Sequence, residues 1–187
     1  MFRDETFTGI QEVDTVNPAA DLVMDEDTFR AFYDRTAAGI WAYLARITGD
    51  RQLADDLLQE TFYRFLRADS SYESEAHRRN SLYRIATNLA RDARRRSLVR
   101  PLLGLGNSDM DLMAAKGNEA RETERVTDVN RAMSFLKPNE RAMLWLAYAE
   151  GASHPEIARV LGLKPGSMKI LLFRARRRLA SLLRGEK

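Results

Sequence analysis

The stretch Ser153 to Leu183, SHPEIARVLGLKPGSMKILLFRARRRLASLL, decides the fold. Ser153-His154-Pro155-Glu156 reads as a capping box. The Ser153 side chain can accept the Glu156 amide, and the Glu156 carboxylate can reach back to the amide of Ser153. Pro155 falls in the first turn, where its missing N–H costs nothing. Ile157, Ala158, Val160 and Leu161 then form the buried face of a short helix. Gly162-Leu163-Lys164 is a three-residue turn, and Pro165 opens a second helix. A short helix, a glycine turn and a longer basic helix make a helix-turn-helix.

The second helix of that unit has two faces. Met168, Leu172, Ala175, Leu179 and Leu182 hold it against a bundle, while Ser167, Lys169, Ile170, Phe173, Arg174, Arg176 and Arg177 lie around the remainder. The N-terminal part of such a helix enters the DNA major groove. Ser167 and Lys169 are therefore placed for base edges or nearby phosphates, and the arginines beyond them for phosphates. Two readings stand for Ile170 and Phe173: contact with thymine methyls, or packing against another domain or a protein partner. His154 has no ligand partner at metal spacing and reads as a surface or capping residue.

The rest of the chain is helical by periodicity, with no alternating strand of five residues or more. The expected fold is all-α, two small helical domains joined by a flexible linker, the second containing the helix-turn-helix. The spacing predicts helices over Thr28–Ile47, 51–67 and 75–96, with Ser74 as N-cap of the third. Residues 28–97 form the first domain. Residues 98–126 read as a linker by their glycine, proline and acid content, although Leu98, Val99, Leu102, Leu103 and Leu105 are apolar for a solvated tether. Residues 127–187 form the second domain, with Lys137-Pro138 separating two helices before the capping box. Residues 1–27 hold too few periodic apolar side chains to fold alone and read as an acidic, disordered tail.

The net charge of +3 hides a segregation. Residues 1–28 carry −7, residues 69–100 carry +4, residues 101–128 carry −3 and residues 129–187 carry +8. Two basic segments separated by an acidic spacer suggest a polyanion partner. Solvated helix faces in an arginine-rich chain are the blander account, since 25 of the 30 bases are Arg. The tail, at −7, is charged to mimic nucleic acid and fold back on a basic domain.

Composition also excludes classes of function. With no cysteine, disulfides, thiolate metal sites and a cysteine nucleophile are ruled out. Only His77 and His154 are present, so no histidine-rich metal site is expected. No glycine loop cradles a phosphate, and no apolar run approaches the ~20 residues that span a bilayer. Asp55, Asp56 and Glu60 could suggest a magnesium-dependent nuclease, but no further acidic or histidine constellation accompanies them. The expected protein is cytoplasmic, non-catalytic, without cofactor and without membrane insertion.

The whole pattern from Phe29 to Leu183 resembles the bacterial RNA polymerase sigma factors of the extracytoplasmic-function (ECF) group. Asp55-Asp56-Leu57-Leu58-Gln59-Glu60-Thr61-Phe62 is similar to that family's second conserved helix. The resemblance implies that Asp55, Asp56, Gln59 and Glu60 dock on the clamp helices of the polymerase largest subunit. Residues Leu82 to Asp92 with Arg94-Arg95-Arg96 resemble the promoter-melting helix. Leu136-Lys137-Pro138, Arg141 and the helix-turn-helix resemble the region that reads the upstream promoter element. Two positions depart from the pattern: Ser81 stands where Trp is usual, and Leu171 where Arg is frequent.

The resemblance implies promoter opening by selective binding of one strand, which needs cations for phosphates and a pocket for an unstacked base. Tyr72 is the aromatic of the loop before the third helix, and Arg78, Arg79, Asn80, Arg84, Asn88, Arg91 and Arg95 supply donors on or near that helix. Tyr72 equally reads as a loop residue covering its own core. The implied partners are the polymerase core, promoter DNA and an anti-sigma factor. The alternative is a stand-alone helix-turn-helix regulator whose first domain serves as a sensor or dimerisation module.

Overall fold

The computed structural model describes residues 25–68, 72–99 and 123–185. Most of the expected acidic tail and most of the expected linker lie outside the described residues; Asp25, Glu26 and Asp27, placed in that tail by the sequence, are instead the N-cap and first turn of α1, because the Asp25 carboxylate and the two acids suit a helix N-terminus. Seven α-helices are found among them, and no strand: α1 (Glu26–Thr48), α2 (Arg51–Arg67), α3 (Glu75–Val99), α4 (Thr123–Ser134), α5 (Pro138–Tyr148), α6 (His154–Leu161) and α7 (Met168–Leu183). None of the helices is long and apolar enough to cross a membrane.

Each boundary follows from local chemistry. The Asp25 carboxylate accepts the Thr28 amide at 2.7 Å and the Asp50 carboxylate the Leu53 amide at 3.0 Å, capping α1 and α2. The Ser74 hydroxyl oxygen accepts the His77 amide at 3.1 Å at the head of α3. Gly49 ends α1 at φ 79°, and its N–H closes on the Ala45 carbonyl at 2.9 Å. Gly162 does the same for α6 at φ 63°, a left-handed conformation that costs an L residue about 1–2 kcal/mol. Helix α3 extends through Val99, beyond the expected end at Arg96. The helix expected to open at Pro165 begins as a 3₁₀ turn, Pro165–Ser167, before α7.

Helices α1, α2 and α3 pack together around Phe32, Ile40, Tyr43, Leu44, Phe62, Phe65, Leu82 and Ala86. An aromatic line runs through this core: Phe32 stacks on Phe65 at 5.3 Å, and Phe65 on Tyr72 at 5.2 Å. Helices α4 to α7 close around Met133, Leu136, Met143, Leu146, Ile157, Leu161, Met168 and Leu172. The two groups are not separate. Helix α5 lies against α1 and α6 against α3, so one apolar cluster runs through both halves.

Polar groups inside the first core are paired. Thr87 Oγ1 donates to the Tyr83 carbonyl at 2.7 Å, which leaves the Tyr43 hydroxyl as the donor in its 2.6 Å bond to Thr87. Burial pushes the Tyr43 phenol up to about 12, so it keeps its proton at every physiological pH.

Polar contacts also join the halves. Asn80 Nδ2 donates to Glu156 Oε1 at 2.9 Å, and Arg91 Nη2 to the Leu161 carbonyl at 2.9 Å and Asn139 Oδ1 at 3.3 Å. Arg141 Nη1 donates to the Arg46 carbonyl at 2.8 Å, and the Arg46 guanidinium lies 5.3 Å from the Trp145 ring centroid.

Two outcomes test this packing. Tyr43→Phe leaves the hydroxyl of Thr87 without its donor and should cost about 1 kcal/mol in urea unfolding; an unchanged midpoint would deny the pair any net role. Glu156 also accepts the Ser153 hydroxyl and amide, which with the Asn80 bond lower its carboxyl from 4.5 to about 2. Its stabilisation is complete above the ordinary carboxylate range and lost as pH falls from about 5 toward 2. Acid titration of the wild type should therefore show a loss of helicity that Glu156→Gln lacks.

Candidate nucleic-acid interface

Helix α7 presents its basic face to solvent. Lys169, Arg174 and Arg177 are exposed and make no ion pair among the described residues, while Ser167 sits half-buried in the turn before them. Arg176 Nη1 donates to the Tyr148 hydroxyl at 3.1 Å, which fixes its direction along the helix flank. Arg178 is different: it reaches Glu140 on α5 at 3.7 Å and so belongs to the bundle side. Ile170 and Phe173 stand 56% and 54% exposed on the same outer face as Arg174 and Arg177. Leu171, where the sequence pattern departs from arginine, packs against the core and faces away from that surface.

Helix α3 carries a second polar stripe. Asn80, Arg84, Asn88, Arg91 and Arg95 recur at steps of four, four, three and four residues, one face of an α-helix. Arg84, Asn88 and Arg95 are exposed; Arg95 pairs weakly with Asp92 at 3.3 Å. Asn80 is only 6% exposed and bonded to Glu156, and Arg91 is held by the C-terminal carbonyl of α6. Arg79 is half-buried, and its charge helps keep the Glu156 carboxyl ionised.

The loop aromatic is committed to its own domain. Tyr72 lies 15° from parallel with the Phe65 ring, His77 meets it edge-on at 5.8 Å, and the Arg78 guanidinium lies 5.9 Å from its centroid and 5.8 Å from that of Phe32. Tyr72 therefore extends the Phe32–Phe65 stack to the surface. Arg78 flanks that stack, its planar cation within reach of the Phe32 and Tyr72 rings at its two ends.

On α2 the four acidic and amide residues divide. Asp55 accepts the Trp41 indole N–H at 2.6 Å, while Arg51 covers the Trp41 ring at 5.2 Å. Glu60 pairs with Arg64 at 2.6 Å. Asp56 and Gln59 are exposed and have no partner among the described residues. Beside them Tyr63 and Leu66 are about half exposed, large apolar groups that the sequence reading passed over. Their signal was spacing: Tyr63 lies four residues after Gln59 and seven after Asp56, on the same helix face.

The seam between the halves is strongly cationic. Burial and the neighbouring Arg94 and Arg46 push the Arg141 guanidinium below its ordinary range, and burial does the same to Arg46. No group of three or more His, Cys, Asp or Glu is placed to hold a metal among the described residues. The arrangement offers charge, hydrogen-bond donors and exposed apolar groups on three helices, which is the chemistry of binding.

Comparison with known proteins identifies the two halves. Residues 32–98 match sigma-70 region 2, and residues 127–179 match sigma-70 region 4. The chain is 30% identical over 151 residues to the ECF RNA polymerase sigma factor SigL of Mycobacterium tuberculosis, covering 80% of this chain and 85% of that protein. It is 29% identical over 167 residues to the RNA polymerase sigma factor CarQ of Myxococcus xanthus, covering 84% and 90%. In fold it is similar to the sigma factor RpoE of Bartonella quintana, solved with the anti-sigma factor NepR, at a TM-score of 0.64 and 22% identity over 85% of this chain and 98% of that one. CnrH, solved with the cytosolic domain of CnrY, superposes at a TM-score of 0.59 with 26% identity, covering 90% and 96%. The chain belongs to the ECF RNA polymerase sigma factors, the non-catalytic subunits that bind the polymerase core and direct it to promoters.

Proposed function

We propose that three helices of this sigma factor divide the work. Helix α2 docks on the clamp helices of the polymerase largest subunit through Asp56 and Gln59, with Tyr63 and Leu66 adding apolar contact. Helix α3 receives the unpaired strand of the downstream element on Arg84, Asn88 and Arg95, joined by Asn80 and Arg91 when these are released. Helix α7 meets the upstream element through Ser167 and Lys169, with Arg174, Arg176 and Arg177 on phosphates. The observation that carries this division is the distribution of free groups. On α2 the unpaired polar side chains are the acid Asp56 and the amides Gln52 and Gln59, on α3 they include Arg84 and Asn88, and on α7 they include Lys169, Arg174 and Arg177. Tyr72, stacked on Phe65, covers the core of its own half.

The exposed apolar face of α7, Ile170 and Phe173, suits a protein better than a phosphate chain. An anti-sigma partner that covers these two side chains would also hide Arg174 and Arg177, removing upstream binding in one step. Such a protein acts inside the cell beside polymerase. The reading as a stand-alone regulator lacks a counterpart for the unpaired Asp56 and Gln59.

Purified protein added to polymerase core should start transcription from specific promoters with no other sigma factor present; tight duplex binding without initiation would defeat the assignment. Asp56→Lys should weaken core binding about tenfold, equivalent to 1.4 kcal/mol, with unchanged thermal unfolding. The docking face is misplaced if core affinity stays the same. Arg174→Ala should weaken upstream-element binding and lower the salt slope by about one, the signature of a lost phosphate contact. An unaltered slope would move Arg174 off the DNA.

A further inference from the structure

Helix α5 ends in a tyrosine bonded to the basic helix. Tyr148 is the last residue of α5 and 62% exposed, and its hydroxyl accepts from Arg176 Nη1 at 3.1 Å across 28 residues of sequence. A phenol that accepts from an arginine keeps its own proton, because its oxygen carries two lone pairs and one O–H. A guanidinium that gives one N–H to that phenol keeps the other donors of its fork. Both side chains are exposed, so the pair leaves spare donors at the surface. Arg176 lies seven residues beyond Lys169, two turns along the same face of α7. Two turns span about 10 Å, close to the width of the major groove, about 12 Å. A helix seated with Lys169 at the base edges therefore brings Arg176 to the groove wall, where the phosphates stand. The charge of Arg176 is available there. Arg178, two residues on, pairs with Glu140 at 3.7 Å, whereas Arg176 is in no ion pair among the described residues.

We propose that Tyr148 and Arg176 form one phosphate clamp on the upstream element, in which a single backbone phosphate accepts from the Arg176 guanidinium and from the Tyr148 O–H while the bond between the two side chains is kept. This rests on the assignment of α7 as the upstream-reading helix, and it adds to that helix a contact supplied by α5. The existing bond sets the spacing, since donors joined at 3.1 Å can meet the oxygens of one phosphate group. The two side chains bring different things. Arginine supplies the charge, on a long side chain that loses rotamer freedom when it is held. Tyrosine supplies a neutral, directional donor on a rigid ring, and by accepting from Arg176 it restrains the longer side chain before DNA arrives. A hydroxyl and a guanidinium are both ordinary partners of a DNA phosphate.

The test uses the sigma factor assembled on polymerase core, with a duplex carrying the upstream element of a promoter at which that assembly initiates. Tyr148→Phe keeps the ring and removes only the hydroxyl from an exposed site. It should weaken duplex binding about fivefold and leave the salt slope unchanged, since no cation is lost. Arg176→Ala should weaken binding and lower the slope by about one. Neutral methylphosphonate is then placed at each phosphate of the duplex in turn. One and the same position should remove the difference between each variant and the wild type. Wild-type affinity in Tyr148→Phe overturns the proposal. So does a lowered slope in Tyr148→Phe, because the tyrosine would then only aim the arginine. Two different phosphate positions for the two variants would also overturn it, as would weaker binding of Tyr148→Phe to the core itself, which would place the side chain on polymerase. The underlying assignment fails separately: if Lys169→Ala and Arg176→Ala both bind the duplex as the wild type does, α7 is not the upstream-reading helix, whatever Tyr148→Phe does.

Discussion

Helix α3 must satisfy two demands with one set of 25 residues. It buries Leu82, Tyr83, Ala86, Leu89 and Ala90 against α1 and α2, and it holds seven arginines against two acids. A helix can do both only by dividing its circumference, because residues three and four apart share a face. The buried face fixes α3 in its own half through the Tyr43–Thr87–Tyr83 chain of hydrogen bonds. The polar face is thereby aimed in one direction. On that face α6 meets Asn80 and Arg91, while Arg84, Asn88 and Arg95 are exposed.

The helix-turn-helix half shows how one helix can serve its own unit and the contact between the halves. Within its own unit, α6 buries Ile157, Ala158, Val160 and Leu161 and is ended by Gly162 in the left-handed region. Its head is fixed by the Glu156 carboxylate, which accepts from both the Ser153 amide at 2.8 Å and the Ser153 hydroxyl at 2.6 Å. Those bonds use Oε2 and leave Oε1 for Asn80. One carboxylate thus closes a helix cap and a domain contact at once, and its charge is stabilised by three donors together.

What was legible in the sequence was local. The capping box at Ser153, the stop at Gly162, the cap at Ser74 and the apolar stripes all act within four residues, and each appears where the spacing places it. The division of α7 was legible for the same reason, since Met168, Leu172 and Ala175 face the core and Lys169, Arg174 and Arg177 do not. The candidate sites were harder because their polar residues have more than one possible partner. Asp55 and Asp56 are adjacent and chemically identical. Only the position of Trp41, fourteen residues away on another helix, gives Asp55 a structural bond and leaves Asp56 free. Asn80 and Arg91 belong to the same stripe as Arg84 and Asn88, but contacts 70 and 76 residues distant in sequence turn them inward. No periodicity records such a pairing. Arg178 is the converse case, one of three consecutive arginines and the one whose direction brings it to Glu140.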